Sequence, residues 1–299
     1  MSNVKLFEVG PRDGFQNLQD YVPAEVKLDL IDRMVQSGLK HLQCTSFVSP
    51  KAIPQMRDAK EVAAACVERY PDADLFALIP NLYGAKAARD SGIRSVDMVI
   101  SLSKSHNQAN INRTHEQSFA ELQNVLDNCP EMKLTVDIAT AFGCPFEGIP
   151  AVASLVDFIG KIRNYGIRNF TLGDTIGVAN PVQVRETVKA LLSAYPDCVF
   201  RPHFHDTRNN GIANTIAAIE CGITEVETTL GGLGGCPFAP GASGNTATED
   251  LIWLLDKMGY ETGVSFEKVL EAAQYEHSIL VGNYSGHQMN ITKRSACCG

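Results

Sequence analysis

The sequence of 299 residues lacks the marks of several protein classes. It has no apolar run close to the roughly 20 residues of a transmembrane helix, and its first residues, MSNVKLFEVG, enter a candidate strand instead of a signal peptide. It also lacks basic blocks, and its formal net charge is −8. We therefore expect a cytoplasmic protein with a small anionic substrate and with neither nucleic-acid nor membrane partners.

Disulfide frameworks, linkers and dinucleotide-binding turns are also missing from the sequence. The nine cysteines are an odd number without a regular spacing, which is typical of a protein kept in a reducing compartment. No GxGxxG turn follows the first candidate strand, and no low-complexity tract divides the chain. These absences favour a single domain that is not an open dinucleotide-binding sheet.

Short apolar runs alternate with longer segments of helical periodicity throughout the chain. This pattern indicates successive βαβ units and a parallel sheet. The eight candidate strands span residues 5–9, 41–45, 75–79, 96–101, 134–139, 169–172, 199–205 and 225–228. Eight strand–helix pairs predict an α/β fold, a closed (β/α)8 TIM barrel over about residues 1–260. A C-terminal helix and tail, about 261–299, would complete one domain of residues 1–299.

Residues 231–245 read GGLGGCPFAPGASGN, with six glycines and two prolines among fifteen positions. Neither a helix nor a strand tolerates this composition, and a loop of this length is usually functional or disordered. Because ordinary folding sequence flanks it, we interpret it as a glycine-hinged lid that carries the thiol of Cys236. A packing role is the common one for cysteine, but a proton donor or acceptor fits this loop better.

The candidate metal ligands lie at the carboxyl ends of the strands, where barrels of this type carry their active sites. His203 and His205 are two residues apart, so both side chains point to one face of a strand. Such a pair is more often a hydrogen-bonded structural feature. Here Asp13 follows the first strand and Asn245 ends the lid, and two imidazoles, a carboxylate and an amide oxygen suit Mg²⁺ or Mn²⁺.

Arg12 precedes Asp13 in the segment GPRDG. Neighbouring side chains diverge on an extended segment, so Asp13 could hold the metal while Arg12 reaches the substrate. A fixed guanidinium near a carbonyl stabilises developing enolate charge. Glu8 and Asp174 are interpreted as groups that orient the ligands and Arg12.

Six segments are similar to the 3-hydroxy-3-methylglutaryl-CoA lyase family, metal-dependent barrel lyases with an Arg-Asp signature after the first strand. They are VGPRDGFQN, TSFVSPKAIPQM, LGDTIGV, HFHDT, GLGGCPFAPGASGN and ATEDL. The resemblance implies retro-Claisen cleavage of a 3-hydroxy-3-methylglutaryl-CoA-like thioester to acetyl-CoA and acetoacetate, as in leucine degradation and ketone-body metabolism. It also implies an acyl-CoA thioester as the small-molecule partner, and because such barrels often dimerise we expect a homodimer or a larger homo-oligomer.

The same resemblance implies a role for each candidate residue. It implies Asp13, His203, His205 and Asn245 as the metal ligands. It implies Arg12 as the group that stabilises the enolate and Cys236 as the acid that protonates it. Arg12, Gln16 and Gln43 would contact the substrate. The group that takes the hydroxyl proton stays open between a histidine and a water bound to an aspartate.

The second strand departs from the family pattern. The family usually carries a carboxylate at the position of Gln43, which keeps the shape but removes one negative charge. We therefore expect a substrate that differs in detail from 3-hydroxy-3-methylglutaryl-CoA, or slower turnover of it. The alternatives are cleavage of another 3-hydroxyacyl-CoA such as citramalyl-CoA, a Claisen condensation that uses acetyl-CoA, and a catalytically silent barrel that binds acyl-CoA.

Overall fold

The structure is a computed structural model that describes residues 3–235 and 244–291. Eight parallel strands pair in chain order, and the last pairs with the first, so the sheet closes into a barrel. The strands are β1 (Lys5–Glu8), β2 (His41–Ser46), β3 (Asp74–Leu78), β4 (Ser95–Ser101), β5 (Lys133–Ala139), β6 (Asn169–Asp174), β7 (Val199–Phe204) and β8 (Glu225–Thr228). The predicted (β/α)8 barrel is confirmed.

Ten α-helices are described around and beyond the barrel. They are α1 (Ala24–Gln36), α2 (Ala59–Arg69), α3 (Leu82–Asp90), α4 (Lys104–Ile111), α5 (His115–Asn128), α6 (Val152–Arg163), α7 (Pro181–Ala194), α8 (Gly211–Glu220), α9 (Thr248–Lys257) and α10 (Phe266–Ile279). Within the described part of the chain, none is long and apolar enough to cross a membrane. Helix α4 was not predicted from the sequence, because its residues KSHNQANI form no apolar stripe.

The strands bury both of their faces, and the two faces differ in chemistry. Outward-facing aliphatic side chains such as Leu42, Val96 and Val136 join one large apolar core with the helices. The interior instead holds polar groups, although barrels of this type usually fill it with branched aliphatic residues. Hydrogen bonds join strands that are not neighbours, from Gln43 on β2 to Asp97 on β4, so these groups meet across the interior.

The segment after β1 is a single π-helical turn, Gly10–Gly14, and not the extended segment that the sequence analysis assumed. The backbone nitrogens of Arg12 and Asp13 both donate to the carbonyl oxygen of Val9, at 3.1 and 2.7 Å. Isolated π-helical turns are frequent at functional sites. A five-residue turn has no periodicity that would have revealed it in the sequence.

The chain that follows α10 returns to the ends of the lid. The backbone nitrogen of Gly286 donates to the carbonyl of Gly231 at 2.9 Å, and that of Gly234 donates to the carbonyl of Asn283 at 3.2 Å. Gly232 has φ of 67°, and a Cβ there would collide with the Ser285 hydroxyl oxygen. Both the backbone conformation and the close approach therefore require glycine at this position.

Glu276 is a fully buried acid on α10, and neither of its carboxyl oxygens has a hydrogen-bond partner within the described residues. Burial, with the negative charges of Glu8 and Glu249, raises its pKa well above the usual range. The native state therefore binds this proton more tightly than the unfolded chain. The contribution of Glu276 to stability is largest at low pH and is lost as the pH rises from the unfolded pKa of about 4.3 towards the raised native pKa.

Replacing Glu276 by glutamine, which never ionises, should therefore stabilise the protein only at higher pH. We expect little change in the free energy of unfolding near pH 4 and a gain of about 2 kcal/mol or more near pH 8. Urea unfolding, followed by the fluorescence of the single tryptophan, Trp253, measures this free energy at each pH. Glu271→Gln, an exposed position on the same helix, is the control. Equal effects of Glu276→Gln at both pH values would disprove the assignment.

Candidate metal centre and active site

The Asp13 carboxylate lies at the centre of the site and uses its two oxygens differently. Oδ1 accepts from Arg12 Nη1 at 2.5 Å and from Gln16 Nε2 at 3.0 Å. Oδ2 accepts from Asn245 Nδ2 at 2.9 Å and lies 3.8 Å from His203 Nε2. Arg12 and Asp13 are thus in direct contact, which corrects the expectation that their side chains diverge.

The charge of Asp13 is secured by its surroundings. Burial by itself would raise the pKa of Asp13, but the guanidinium of Arg12 and the imidazoles of His203 and His205 lower it to about 2. The Asn245 hydrogen bond contributes in the same direction. Asp13 is therefore anionic throughout the physiological pH range and offers a negative oxygen on the side of the histidines.

Both histidines are held through Nδ1, so their Nε2 atoms are free for the site. His203 Nδ1 lies 3.0 Å from Glu227 Oε2, and His205 Nδ1 lies 2.9 Å from the carbonyl oxygen of Thr175. Burial disfavours charge on both imidazoles, and Glu227 reverses this effect at His203, whose pKa is raised. The pKa of His205 falls to about 4 because of burial and the nearby His203. A carboxylate or carbonyl behind Nδ1 is the usual support for a metal-ligating histidine.

Asn245 supplies the fourth candidate ligand. Its Nδ2 donates to Asp13 Oδ2 and, at 3.3 Å, to the carbonyl of Leu233, so both amide hydrogens have acceptors. Its Oδ1 is buried and has no hydrogen-bond partner within the described residues. A buried oxygen without a partner is costly unless a ligand or water satisfies it, so this atom fits a cation beside the histidines.

The donor set therefore matches a divalent cation that prefers nitrogen and oxygen ligands. Single ligand atoms of Asp13, His203 and His205 lie within 4.8 Å of one another. Neither histidine needs to break its Nδ1 bond to present Nε2. The two sequence-predicted histidines, the aspartate and the asparagine are thus brought together by β7, the turn after β1 and the end of the lid.

Gln43 and Gln16 both lie beside this cluster, and their predicted contact with the substrate stays a prediction. Gln43 Oε1 accepts from Arg12 Nε in a short hydrogen bond, and Gln43 Nε2 donates to Asp97 Oδ2 at 2.6 Å. Arg12 is therefore held on two sides, by Gln43 and by Asp13. A planar guanidinium held at two nitrogens has a fixed orientation.

Glu8 and Asp174 act on loops and have no direct hydrogen bond to the candidate ligands. Glu8 Oε1 accepts from the backbone nitrogens of Gly10 and Leu230, at 2.8 and 3.0 Å. It therefore links the π-helical turn to the start of the lid. Asp174 accepts from Val178 and Ala179 backbone nitrogens, and burial raises its pKa to about 6. It shapes the loop whose Thr175 carbonyl supports His205.

A layer of polar groups beneath the candidate ligands escaped the sequence analysis. Glu227 supports His203 and also accepts from Thr171 Oγ1 at 3.0 Å, while Arg201 Nη1 lies 3.6 Å from Glu227 Oε1. Asp97 and Asp137 lie close to Glu227. Acidic residues inside strand segments were the available signal, one each in SVDMV and TVDIA and two in TEVETT.

A cavity of about 130 Å³ opens over this cluster at the carboxyl ends of the strands. Its walls include Arg12, Asp13, Asp137, His203 and His205. A wider depression of about 720 Å³ lies at the opposite end, beside Lys5 and Tyr260, and contains none of the candidate ligands. We assign the site to the smaller cavity because chemistry in these barrels resides at the carboxyl ends of the strands.

Cys236 lies outside the described residues, so its predicted role in the lid stays a prediction. The described residues on either side of it, Gly235 and Gly244, belong to segments that flank the cluster. Gly234 approaches the Asn245 side chain, where a Cβ would collide with Nδ2. The lid therefore starts and ends beside the candidate ligands.

These features define a (β/α)8-barrel enzyme with a candidate cation site of nitrogen and oxygen ligands and an adjacent fixed guanidinium. The HMGL-like family model matches residues 3–275. Hydroxymethylglutaryl-CoA lyase YngG of Bacillus subtilis is 40% identical over 91% of this chain and 91% of its own length. The human mitochondrial hydroxymethylglutaryl-CoA lyase is 39% identical over 91% of this chain and 84% of its own.

Solved structures agree with the sequence comparisons. An HMG-CoA lyase from Acinetobacter baumannii, in complex with coenzyme A and 3-methylmalate, superimposes with a TM-score of 0.92 and 37% identity. The alignment covers 98% of this chain and 96% of that one. The chain belongs to the HMGL-like family, the family of the hydroxymethylglutaryl-CoA lyases, and is a carbon–carbon lyase.

Proposed function

We propose that this chain is a divalent-metal-dependent lyase that cleaves 3-hydroxy-3-methylglutaryl-CoA to acetyl-CoA and acetoacetate. The observation that carries the proposal is the convergence of Asp13, His203, His205 and Asn245 beside the guanidinium of Arg12. The relative from Acinetobacter baumannii, which shares this fold, was solved with coenzyme A bound. An acyl-CoA thioester is therefore the substrate class that we assign here.

Asp13, His203, His205 and Asn245 Oδ1 would hold Mg²⁺ or Mn²⁺. Such an ion, when bound, polarises an oxygen ligand and lowers the pKa of a hydroxyl group. The protein's contribution is to fix the ligands in advance. Glu227 and the Thr175 carbonyl orient the two imidazoles, and Asn245 Nδ2 and Gln16 Nε2 orient the Asp13 carboxylate.

Arg12 would stabilise the negative charge that develops on the thioester carbonyl oxygen during carbon–carbon cleavage. Its Nε donates to Gln43 and its Nη1 donates to Asp13, which leaves Nη2 for the substrate. Because the guanidinium is buried and already oriented, little reorganisation accompanies the reaction. Cleavage then leaves an enolate of acetyl-CoA, which needs one proton.

Cys236 is our candidate for the group that delivers this proton, on the strength of its place in the glycine-rich lid. We expect Cys236→Ser to lower kcat about 100-fold, the lower range for loss of a general acid. Metal content should be unchanged. Cys221→Ser, a partly exposed free cysteine next to α8, is the matched control. Turnover that is insensitive to Cys236→Ser would remove this residue from the mechanism.

A panel of acyl-CoA thioesters tests the proposed function. Purified protein with Mg²⁺ or Mn²⁺ should release acetyl-CoA and acetoacetate from 3-hydroxy-3-methylglutaryl-CoA. Chromatography with mass detection identifies both products. Absence of acetyl-CoA from every 3-hydroxyacyl-CoA in the panel would refute the proposal, and acetyl-CoA consumption with a 2-oxo acid would indicate condensation instead. Light scattering in the same preparation tests the expected homodimer or larger homo-oligomer.

One observation favours a second candidate, cleavage of a more polar 3-hydroxyacyl-CoA. Asp137 lines the cavity, and its Oδ1 is buried without a partner within the described residues. Burial and the nearby Glu227 raise the pKa of Asp137 to about 7. A hydroxyl on the acyl group could bond to this carboxyl in either protonation state, whereas a methyl group could not. Faster cleavage of a hydroxyl-bearing analogue than of 3-hydroxy-3-methylglutaryl-CoA would establish this candidate.

A further inference from the structure

Gln43 lies in the middle of β2, is only 1% exposed, and touches Arg12 on one side and Asp97 on the other. Arginine can only donate hydrogen bonds, so the oxygen of the amide must face Arg12. The amide nitrogen then faces away from Arg12 and needs an acceptor. Asp97 Oδ2, at 2.6 Å, is that acceptor. The orientation of the Gln43 amide is therefore set from both sides.

Asp97 reaches Gln43 from β4, across the barrel interior, and is 2% exposed. Burial, with Asp137 and Glu227 nearby, raises the pKa of Asp97, while the positive charges of Arg201 and Arg12 act in the opposite direction. A buried carboxyl in this setting is costly and needs a specific partner. Gln43 Nε2 is the donor to Asp97 among the hydrogen bonds of the described residues.

We propose that Asp97 is a positioning residue for the lyase reaction, because it fixes the Gln43 amide and, through it, the guanidinium of Arg12. The inference rests on the proposed function. It also changes the expectation from the sequence that Gln43 leaves the site more positive by one charge. A carboxyl group is still present, on Asp97, but it contacts Gln43 and not Arg12 itself. We call Gln43 and Asp97 a matched pair because the amide of one is oriented by the carboxyl of the other.

The matched pair makes a specific prediction for a glutamate at position 43. Gln43→Glu would place a second carboxylate within hydrogen-bond distance of Asp97, and two carboxylates at that separation cannot both be ionised easily. Adding Asp97→Asn removes this conflict, because the new amide can donate to the glutamate. The two substitutions should therefore compensate each other.

The experiment is a double-mutant cycle of Gln43→Glu and Asp97→Asn on the metal-loaded protein, with 3-hydroxy-3-methylglutaryl-CoA as the substrate. We expect Gln43→Glu to lower kcat about tenfold and the double variant to recover most of this loss, a coupling of about 1.4 kcal/mol. Asp97→Asn alone keeps an acceptor for Gln43 Nε2 and should retain kcat within about fivefold. Asp97→Leu, which has no acceptor, should lose about tenfold or more.

Two further readouts separate positioning from a general loss of structure. Mn²⁺ affinity should stay within about twofold in all four variants, because neither Gln43 nor Asp97 has a hydrogen bond to the candidate ligands. The Tm of Gln43→Glu, relative to the wild type, should fall between about pH 6 and pH 9, and the double variant should lose this dependence. The Tm measurement needs no substrate.

Independent, multiplicative effects of Gln43→Glu and Asp97→Asn on kcat would overturn the proposal, as would unchanged kcat in Asp97→Leu. If Asp97→Leu fails to fold, the near-isosteric cycle still decides the question. A wild-type protein that cleaves no acyl-CoA refutes the proposed function, and with it the catalytic meaning of this contact. An active wild type without coupling refutes the positioning role alone.

Discussion

Asp13→Asn should weaken binding of Mg²⁺ or Mn²⁺ at least 100-fold and lower kcat/KM by about 10³, a loss of about 4 kcal/mol of transition-state stabilisation. Among the described residues, Asp13 is the carboxylate grouped with both histidines, and its pKa of about 2 keeps it anionic throughout the physiological pH range. Asparagine retains the shape and an oxygen for Arg12 but removes the charge. The substitution should therefore weaken metal binding without a comparable loss in the free energy of unfolding.

Isothermal titration with Mn²⁺ measures the affinity, and acetyl-CoA release measures kcat/KM. Asp157→Asn, the same change at an exposed position on α6, should leave both unchanged. The thermal midpoint of Asp13→Asn should stay within about 3 °C of the wild type, which corresponds to roughly 2 kcal/mol for a chain of this size. Wild-type Mn²⁺ affinity in Asp13→Asn would show that the metal lies elsewhere.

Arg12→Lys is the second substitution with a large expected effect. Lysine keeps the positive charge but cannot donate to Gln43 and Asp13 at the same time through a rigid planar group. The charge would lose the fixed orientation that the enolate requires. We expect kcat to fall about 10³-fold, the size found when a preorganised donor is removed from an anionic transition state.

Metal affinity distinguishes this effect from damage to the cation site. It should change by no more than about fivefold in Arg12→Lys, since Arg12 contacts Asp13 through Oδ1 while Oδ2 faces the histidines. Arg185→Lys, on the exposed face of α7, is the control for the substitution itself. If Arg12→Lys retained most of the wild-type kcat, the enolate would have to be stabilised by another group.

Most of the fold could be predicted because its signals are local. Each strand of the barrel is a short apolar run followed by a helix with its own periodicity, and all eight predicted strands lie within two residues of the observed bounds. The missed elements carry no such signal. Helix α4 is polar, and Ser103, the residue before it, accepts a hydrogen bond from the backbone nitrogen of His106; Gly10–Gly14 is a single turn.

The candidate site was predictable where the residues lie at strand ends. His203 on β7 and His205 directly after it follow from their spacing of two. Asp13 and Asn245 follow from their places next to β1 and at the end of the lid. Their supporting groups were not predictable. Glu227 reaches His203 from the paired strand β8, and Asp97 reaches Gln43 from β4, which is not adjacent to β2, so both contacts exist only once the strands have assembled.

The most direct test is a stoichiometric metal titration of the chelator-treated protein, with acetyl-CoA release from 3-hydroxy-3-methylglutaryl-CoA as the readout. The account predicts no turnover in excess EDTA, a linear rise as Mn²⁺ is added, and a sharp break at one ion per chain. In His205→Ala, which keeps the Arg12 and Gln43 contacts but loses one ligand, the break should disappear. Full turnover in excess EDTA, or an unchanged titration in His205→Ala, would contradict the assignment of the metal to this site.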